Sequence, residues 1–221
     1  MGTIKKYKID EELYKGHKGE YIATKALNRL YEGNLYIQRV PHDQDCQSKG
    51  IDAHIYVCDD YGRIPKNYTF DLEIKTDFSN YQSLFVEDHS DFFSGKREIG
   101  YLRGSQSDIL CYYFANQHKL ILIGFSELRS HVENNLKSKN PYKLKSVYKP
   151  EKTETTYYYI VPLKDIKDYM LEYPVRENFD SVMYTPEIHD RDIINLKRMT
   201  ADHKARMKMI NEGINIWKLL D

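Results

Sequence analysis

Long apolar runs are missing from this chain of 221 residues. No stretch approaches the ~20 consecutive apolar residues of a membrane-spanning helix. The opening segment, MGTIKKYKIDEELYKG, lacks the apolar centre of a secretory signal. These absences predict a soluble, cytoplasmic protein with no membrane partner. Cysteine is scarce: Cys46, Cys58 and Cys111 are three in number and show no CxxC spacing, which excludes a disulfide scaffold and a cysteine zinc site. The eight histidines form no HxxxH pair. There is no GxGxxG, no Walker A sequence and no GxSxG elbow, so nucleotide-cofactor and serine-hydrolase chemistry find no support. Net charge is also lacking. Lys plus Arg and Asp plus Glu total 33 each, so any nucleic-acid contact must come from a local patch and not from bulk basicity.

What is present is a globular balance, with 41% hydrophobic and 30% charged residues. Residues 10 to 31 read as a helix. Asp10 is a candidate cap, and Tyr21, Ile22, Leu27 and Leu30 recur at helical spacing. Gly16 and Gly19 weaken its first half and move its expected start toward Gly19. Leu35 to Val40 reads as a short strand, and residues 41 to 50 as a polar loop. Ile51 to Cys58 alternates: Ile51, Ala53, Ile55 and Val57 face one way, and Asp52, His54, Tyr56 and Cys58 the other. Tyr68 to Thr76 alternates again, with Phe70, Leu72 and Ile74 opposed to Asp71, Glu73 and Lys75. Two alternating runs around Asp59-Asp60-Tyr61-Gly62 predict an antiparallel hairpin. Residues 77 to 107 read as irregular. Ile109 to Phe114 and Leu120 to Phe125 are continuous apolar runs, the pattern of strands buried on both faces. Ser126 is a candidate cap for a helix over 127–136, a lysine-rich loop follows, then a last strand over 157–161 and a short helix over 163–171. Thr185-Pro186 opens a helix that continues to Leu220 with a heptad seam through Ile193, Leu196, Thr200, His203, Met207, Ile210, Ile214 and Trp217, weakened at Thr200, His203 and nearby Gly213. The expected organisation is an α/β core over residues 1–175, a mixed β-sheet flanked by helices, and a C-terminal helical arm over 186–221.

The chemistry concentrates in Gly50-Ile51-Asp52 and Asp71-Leu72-Glu73-Ile74-Lys75. Alternation puts Glu73 and Lys75 on one face of one strand, and Asp52 lies on the adjacent strand of the hairpin. Two carboxylates beside one ammonium suit phosphodiester hydrolysis: hard oxygen ligands hold Mg²⁺, and a cation orients water or offsets developing charge. Glu20 is a candidate further carboxylate on the opening helix. Asp71 shares the face and is an alternative ligand. Each of these charges is also what the wet face of an amphipathic strand or helix would carry.

This pattern resembles the PD-(D/E)xK nuclease superfamily, which includes restriction endonucleases and Holliday junction resolvases. Gly50-Ile51-Asp52 is similar to the first acidic element, Glu73-Ile74-Lys75 to the second, and Gly19-Glu20 to the optional helical glutamate. The apolar run after Asp108 is similar to the strand that follows. Ile51 stands where the pattern has proline. The resemblance covers roughly residues 10 to 171. It implies a restriction-endonuclease-like fold and a Mg²⁺-dependent deoxyribonuclease, with Mn²⁺ as substitute. Asp52 and Glu73 are then the metal ligands, joined by Glu20, and Lys75 is the catalytic cation.

Lys96, Arg97 and Arg103 lie between glycines after this motif and are the candidate substrate-binding residues, on a loop able to cover DNA. Lysines from Lys137 to Lys152, interleaved with Tyr142 and Tyr148, form a second basic stretch suited to phosphates and unpaired bases. The C-terminal seam has two readings, packing on the core or pairing of two subunits in a homodimer. Two rival functions stand beside a DNA nuclease: a non-catalytic nucleic-acid- or protein-binding module on the same fold, and an RNA-directed nuclease.

Overall fold

The computed structural model describes residues 2–31, 34–58, 61–64, 66, 69–150 and 152–175, with side chains from residue 16 onward. The connector after Val175 and the C-terminal arm with its heptad seam lie outside the described residues.

Helix α1 runs over Gly2–Leu30, longer than its sequence suggested. Neither Asp10 nor Gly19 starts it. Its buried face carries Ala23, Leu27 and Leu30, one turn apart on one side. Gly19 continues that face for a steric reason. A Cβ at Gly19 would lie 2.0 Å from Thr76 Oγ1, so the glycine lets the helix backbone press onto the sheet.

Strands β1 (Leu35–Arg39), β2 (Ala53–Val57), β3 (Phe70–Asp77), β6 (Ile109–Phe114), β7 (Lys119–Gly124) and β10 (Met170–Pro174) form a six-stranded sheet in the order β1-β2-β3-β6-β7-β10. The expected hairpin is there: β2 and β3 pair antiparallel, with Ala53 opposite Leu72 and His54 opposite Asp71. β3 and β6 are parallel, and every other neighbour is antiparallel. The sheet is therefore mixed. At its β1 edge the Asn28 amide of α1 replaces a strand, donating to Ile37 O at 2.9 Å and accepting from Ile37 N at 2.7 Å.

Parallel neighbours need a crossover. Between β3 and β6 it is supplied by β4 (Ser83–Phe92), β5 (Arg97–Ile99) and the short helix α3 (Tyr101–Gly104). The segment read as irregular is thus ordered, and β4 belongs to a second, antiparallel sheet, β5-β4-β9-β8, with β8 (Lys145–Lys149) and β9 (Glu154–Pro162). Its regular alternation is broken by a bulge between Glu87 and His89, which hides the strand in the sequence. The lysine-rich loop likewise contains β8. The polar loop before Asp52 contains a five-residue helix, α2 (Gln44–Ser48), capped by Asp43 Oδ1 on Cys46 N. Helix α4 (Phe125–Leu136) is preceded by Gly124; Ser126 does not cap it but donates to Glu127 Oε2. β9 is not the last strand. After α5 (Leu163–Ile166) and a 3₁₀ turn, Met170 and Leu171, expected to end a helix, open β10 beside β7.

Two cores explain the apolar runs. Ile109, Cys111 and Tyr113 point to the core under α1; Leu110, Tyr112 and Phe114 point to a second core shared with α4 and the second sheet. Both faces of β6 are covered, which accounts for its unbroken run of apolar and aromatic residues. Among the described residues no helix is long and apolar enough to cross a membrane.

Candidate active site

The site lies where β2 parts from β3. The last backbone link is Asp52 N donating to Leu72 O at 2.9 Å; the Asp52 carbonyl then turns to Val40 N, also at 2.9 Å. The next inward N–H of β3, on Ile74, loses its strand partner. The Asp52 carboxylate takes it, Oδ2 accepting from Ile74 N at 2.7 Å. Asp52 Oδ1 has no hydrogen-bond partner among the described residues.

Glu73 sits on the next strand and is 2% exposed, which the alternation of a half-wet strand did not anticipate. It pairs in register with Leu110 and Lys75 with Tyr112, so both face the second core. Glu73 Oε1 holds Lys75 Nζ at 2.6 Å. Its other oxygen, Oε2, is buried without a hydrogen-bond partner among the described residues. A buried carboxylate oxygen left unpaired costs on the order of 1–3 kcal/mol. Lys75 Nζ also lies 5.2 Å over the ring of Tyr101, whose hydroxyl donates to Phe85 O at 2.5 Å and ties α3 to β4.

Electrostatics link these groups. Burial pushes the Asp52 carboxyl up to about 6; the Lys75 charge and the Ile74 N–H oppose this, and the charges of Glu20 and Glu73 add to it. Burial acts to lower the Lys75 pKa, but the charges of Glu73 and Asp52 and the bond to Glu73 outweigh it and hold the ammonium charged, with Glu87 of β4 contributing. Asp52, Glu73 and Lys75 thus act on one another, and the charge of Glu20 reaches Asp52.

Gly50 shapes this neighbourhood. It adopts φ +67°, a conformation that favours glycine, and a Cβ there would lie 3.1 Å from both Glu73 Oε2 and Ser105 Oγ. Its carbonyl accepts from Ser105 Oγ at 3.1 Å and Ser107 Oγ at 2.8 Å. The loop carrying Asp52 is therefore clamped onto the segment after α3. Tyr101 and Ser105 were not singled out in the sequence; Gly50 was noted only as the residue opening the Gly50-Ile51-Asp52 element.

Other expected residues are placed differently. Glu20 Oε2 is engaged by Arg39 Nη2 at 2.5 Å, so the helical glutamate is tied to β1 while its charge still reaches Asp52. Asp71, the alternative ligand, is bound by His54 Nδ1 at 2.7 Å. Lys96, Arg97 and Arg103 lie on the β4–β5 hairpin and α3 and not on an irregular loop. Each has an acidic partner: Lys96 with Glu98 at 2.6 Å, Arg97 bidentate on Asp91 at 2.6 and 2.9 Å, and Arg103 with Asp88 at 2.8 Å. Of the two tyrosines in the lysine-rich stretch, Tyr148 is exposed and Tyr142 half-buried. The Tyr142 hydroxyl sits between His131 at 2.8 Å and Asp165 at 2.9 Å. Among the described residues, no group of three or more His, Cys, Asp or Glu side chains is arranged to hold a metal ion. Comparison of the chain with protein-family models, curated proteins and solved structures returns no match.

Proposed function

We propose that this chain is a metal-dependent nuclease that hydrolyses phosphodiester bonds in DNA, built on a core of the PD-(D/E)xK type. The observation that carries the reading is the Glu73 carboxylate: almost fully buried, with one oxygen on Lys75 and the other without a partner, beside the partly desolvated Asp52. The order of elements also supports it, since the Asp-bearing and Glu-x-Lys strands form a hairpin followed by a strand parallel to the second.

Asp52 and Glu73 would hold Mg²⁺, or Mn²⁺ in its place, through hard carboxylate oxygens, with Glu20 reinforcing the negative field from α1. The unpaired Glu73 Oε2 fits such an ion. When bound, the ion polarises the phosphate and makes its coordinated water more acidic. The protein's own groups do the rest. The Ile74 N–H fixes Asp52 Oδ2 and leaves Oδ1 for the ion. Glu73 and the Tyr101 ring hold the Lys75 ammonium in place, where it donates hydrogen bonds to the attacking water or to a phosphate oxygen as negative charge grows.

A second reading, a non-catalytic binding module, is favoured by one observation: among the described residues no group of three or more His, Cys, Asp or Glu side chains is arranged to hold a metal ion. The deciding experiment is cleavage of plasmid, linear, single-stranded and branched DNA, with matched RNA, in Mg²⁺, Mn²⁺ or EDTA, by wild type and Lys75→Ala. Metal-dependent cutting lost in the variant supports the nuclease. A wild type inert on the whole panel but able to bind DNA supports the binding module, and cutting confined to RNA replaces the substrate.

A further inference from the structure

Arg129 of α4 is a partly buried cation without a carboxylate partner among the described residues. Its Nε donates to Leu102 O at 2.6 Å and its Nη2 to Ser105 O, both main-chain carbonyls around α3. Its guanidinium carbon lies 4.9 Å over the Phe125 ring. No ion pair holds it among the described residues, and Nη1 carries no hydrogen bond there. Buried charges are normally paired, because desolvation is costly otherwise. Burial accordingly pulls the guanidinium pKa down, against the more remote charges of Glu73 and Glu133. The side chain is anchored on two carbonyls and a ring, and so is pre-ordered at little further entropic cost on binding.

Arg129 lines a groove between α3 and α4 of about 240 Å³, with Leu102, Val132 and Leu136 as apolar wall and Arg103 and Glu133 beside it. The volume is below the roughly 300–1,000 Å³ of small-molecule pockets, which suits one unit of a strand running across it better than an enclosed ligand. The groove is joined to the candidate site through one chain of neighbours: Arg129 holds Ser105 O, Ser105 Oγ donates to Gly50 O, and a Cβ at Gly50 would meet Glu73 Oε2.

We infer that the α3–α4 groove is a phosphate subsite, in which Arg129 receives a backbone phosphate of the nucleic-acid strand cut at Glu73 and Lys75. The inference rests on the nuclease reading for the position of the cut, but the binding it predicts does not require cleavage. An apolar wall accommodates the sugar. Arg103, though held by Asp88, adds positive field at the mouth, and Glu133 opposes it.

The test is fluorescence anisotropy of labelled single-stranded and duplex DNA with the full chain in EDTA, as a function of salt. Wild type is expected to bind. Arg129→Gln should weaken binding about tenfold on either DNA, whatever its sequence, and lower the salt slope by about one. Because Arg129 also ties α3 to α4, Glu133→Lys on the exposed rim provides a variant that leaves those ties intact. It should tighten binding severalfold and steepen the slope. No binding by wild type, or unchanged affinity and slope in both variants, overturns the subsite. If Arg129→Gln fails to melt cooperatively, Glu133→Lys decides alone. DNA binding that follows these variants without any metal-dependent cutting keeps the subsite and removes the nuclease; cutting with unaltered binding in both variants does the reverse.

Discussion

Replacing Asp52 by asparagine removes a charge that the fold holds at a cost. In the folded chain burial raises the Asp52 pKa from 3.8 to about 6. The folded state therefore binds this proton more tightly than the unfolded state. Below pH ~4 the acid is neutral in both states and carries no penalty. Through the window from ~4 to ~6 the unfolded chain ionises first, and stability falls. Above ~6 the full penalty applies: roughly two pH units, or about 3 kcal/mol at ~1.36 kcal/mol per unit. The asparagine side chain would keep an amide oxygen for the Ile74 N–H, whose bond to Asp52 Oδ2 is 2.7 Å. Asp52→Asn is thus expected to be more stable than wild type at pH 7 by up to about 3 kcal/mol, or roughly 5–10 °C in Tm for a domain of this size. The advantage should shrink to near zero by pH 4. The assay is thermal and urea unfolding of both proteins from pH 4 to 8 in EDTA. A variant no more stable than wild type at pH 7, or an advantage that persists undiminished at pH 4, would refute the reasoning. Under the proposed function the same variant is inactive, and added Mg²⁺ raises the wild-type Tm but not that of the variant.

Three further outcomes follow from other parts of the structure. Lys75→Ala leaves the Glu73 carboxylate without its 2.6 Å partner and should cost about 1–3 kcal/mol, below the usual value for a fully buried pair because the lysine side chain is 38% exposed. Adding Glu73→Gln to it should recover stability in urea titrations without recovering cleavage; a double variant no better than the single one argues against the buried charge as the cause. Gly50→Ala combines the left-handed φ of +67° with a Cβ 3.1 Å from Glu73 Oε2, and should lower stability by about 1–3 kcal/mol, with unchanged melting as the contrary result. Of the thiols, Cys58 is half-buried while Cys46 and Cys111 are buried. A disulfide reagent should therefore label Cys58 in the native protein and the other two only on unfolding, and rapid native labelling of Cys111 would contradict the two-faced burial of β6.

Much of the hairpin that carries the candidate site was legible because side-chain alternation is a local property. Phe70, Leu72 and Ile74 are buried as a period of two requires, and the uninterrupted apolar run of β6 announced a strand covered on both faces. The second sheet was not legible. In β4 only Leu84 and Val86 keep the alternation before the bulge, and in β8 no residue is buried at all, so neither pattern rises above that of a polar loop. The helix α1 was read too short because glycine is unfavourable in an isolated helix. At Gly19 the penalty is offset by an approach to Thr76 that any Cβ would forbid.

The sequence by itself determined the pairing of Asp52's strand with that of Glu73 and Lys75, since alternation and a turn signal are local properties of the chain, while the register came from the fold. Only the tertiary structure decided what each charge is worth. It buried Glu73 with one free oxygen, and it set Asp52 where a departing strand leaves an N–H unpaired. It gave Glu20, Lys96, Arg97 and Arg103 partners of opposite sign and Asp71 a histidine, and among the described residues it left Arg129 with no carboxylate. Burial and pairing are properties of residues far apart in the chain, and their energies depend on the local dielectric and on what lies within a few ångströms, which no periodicity encodes.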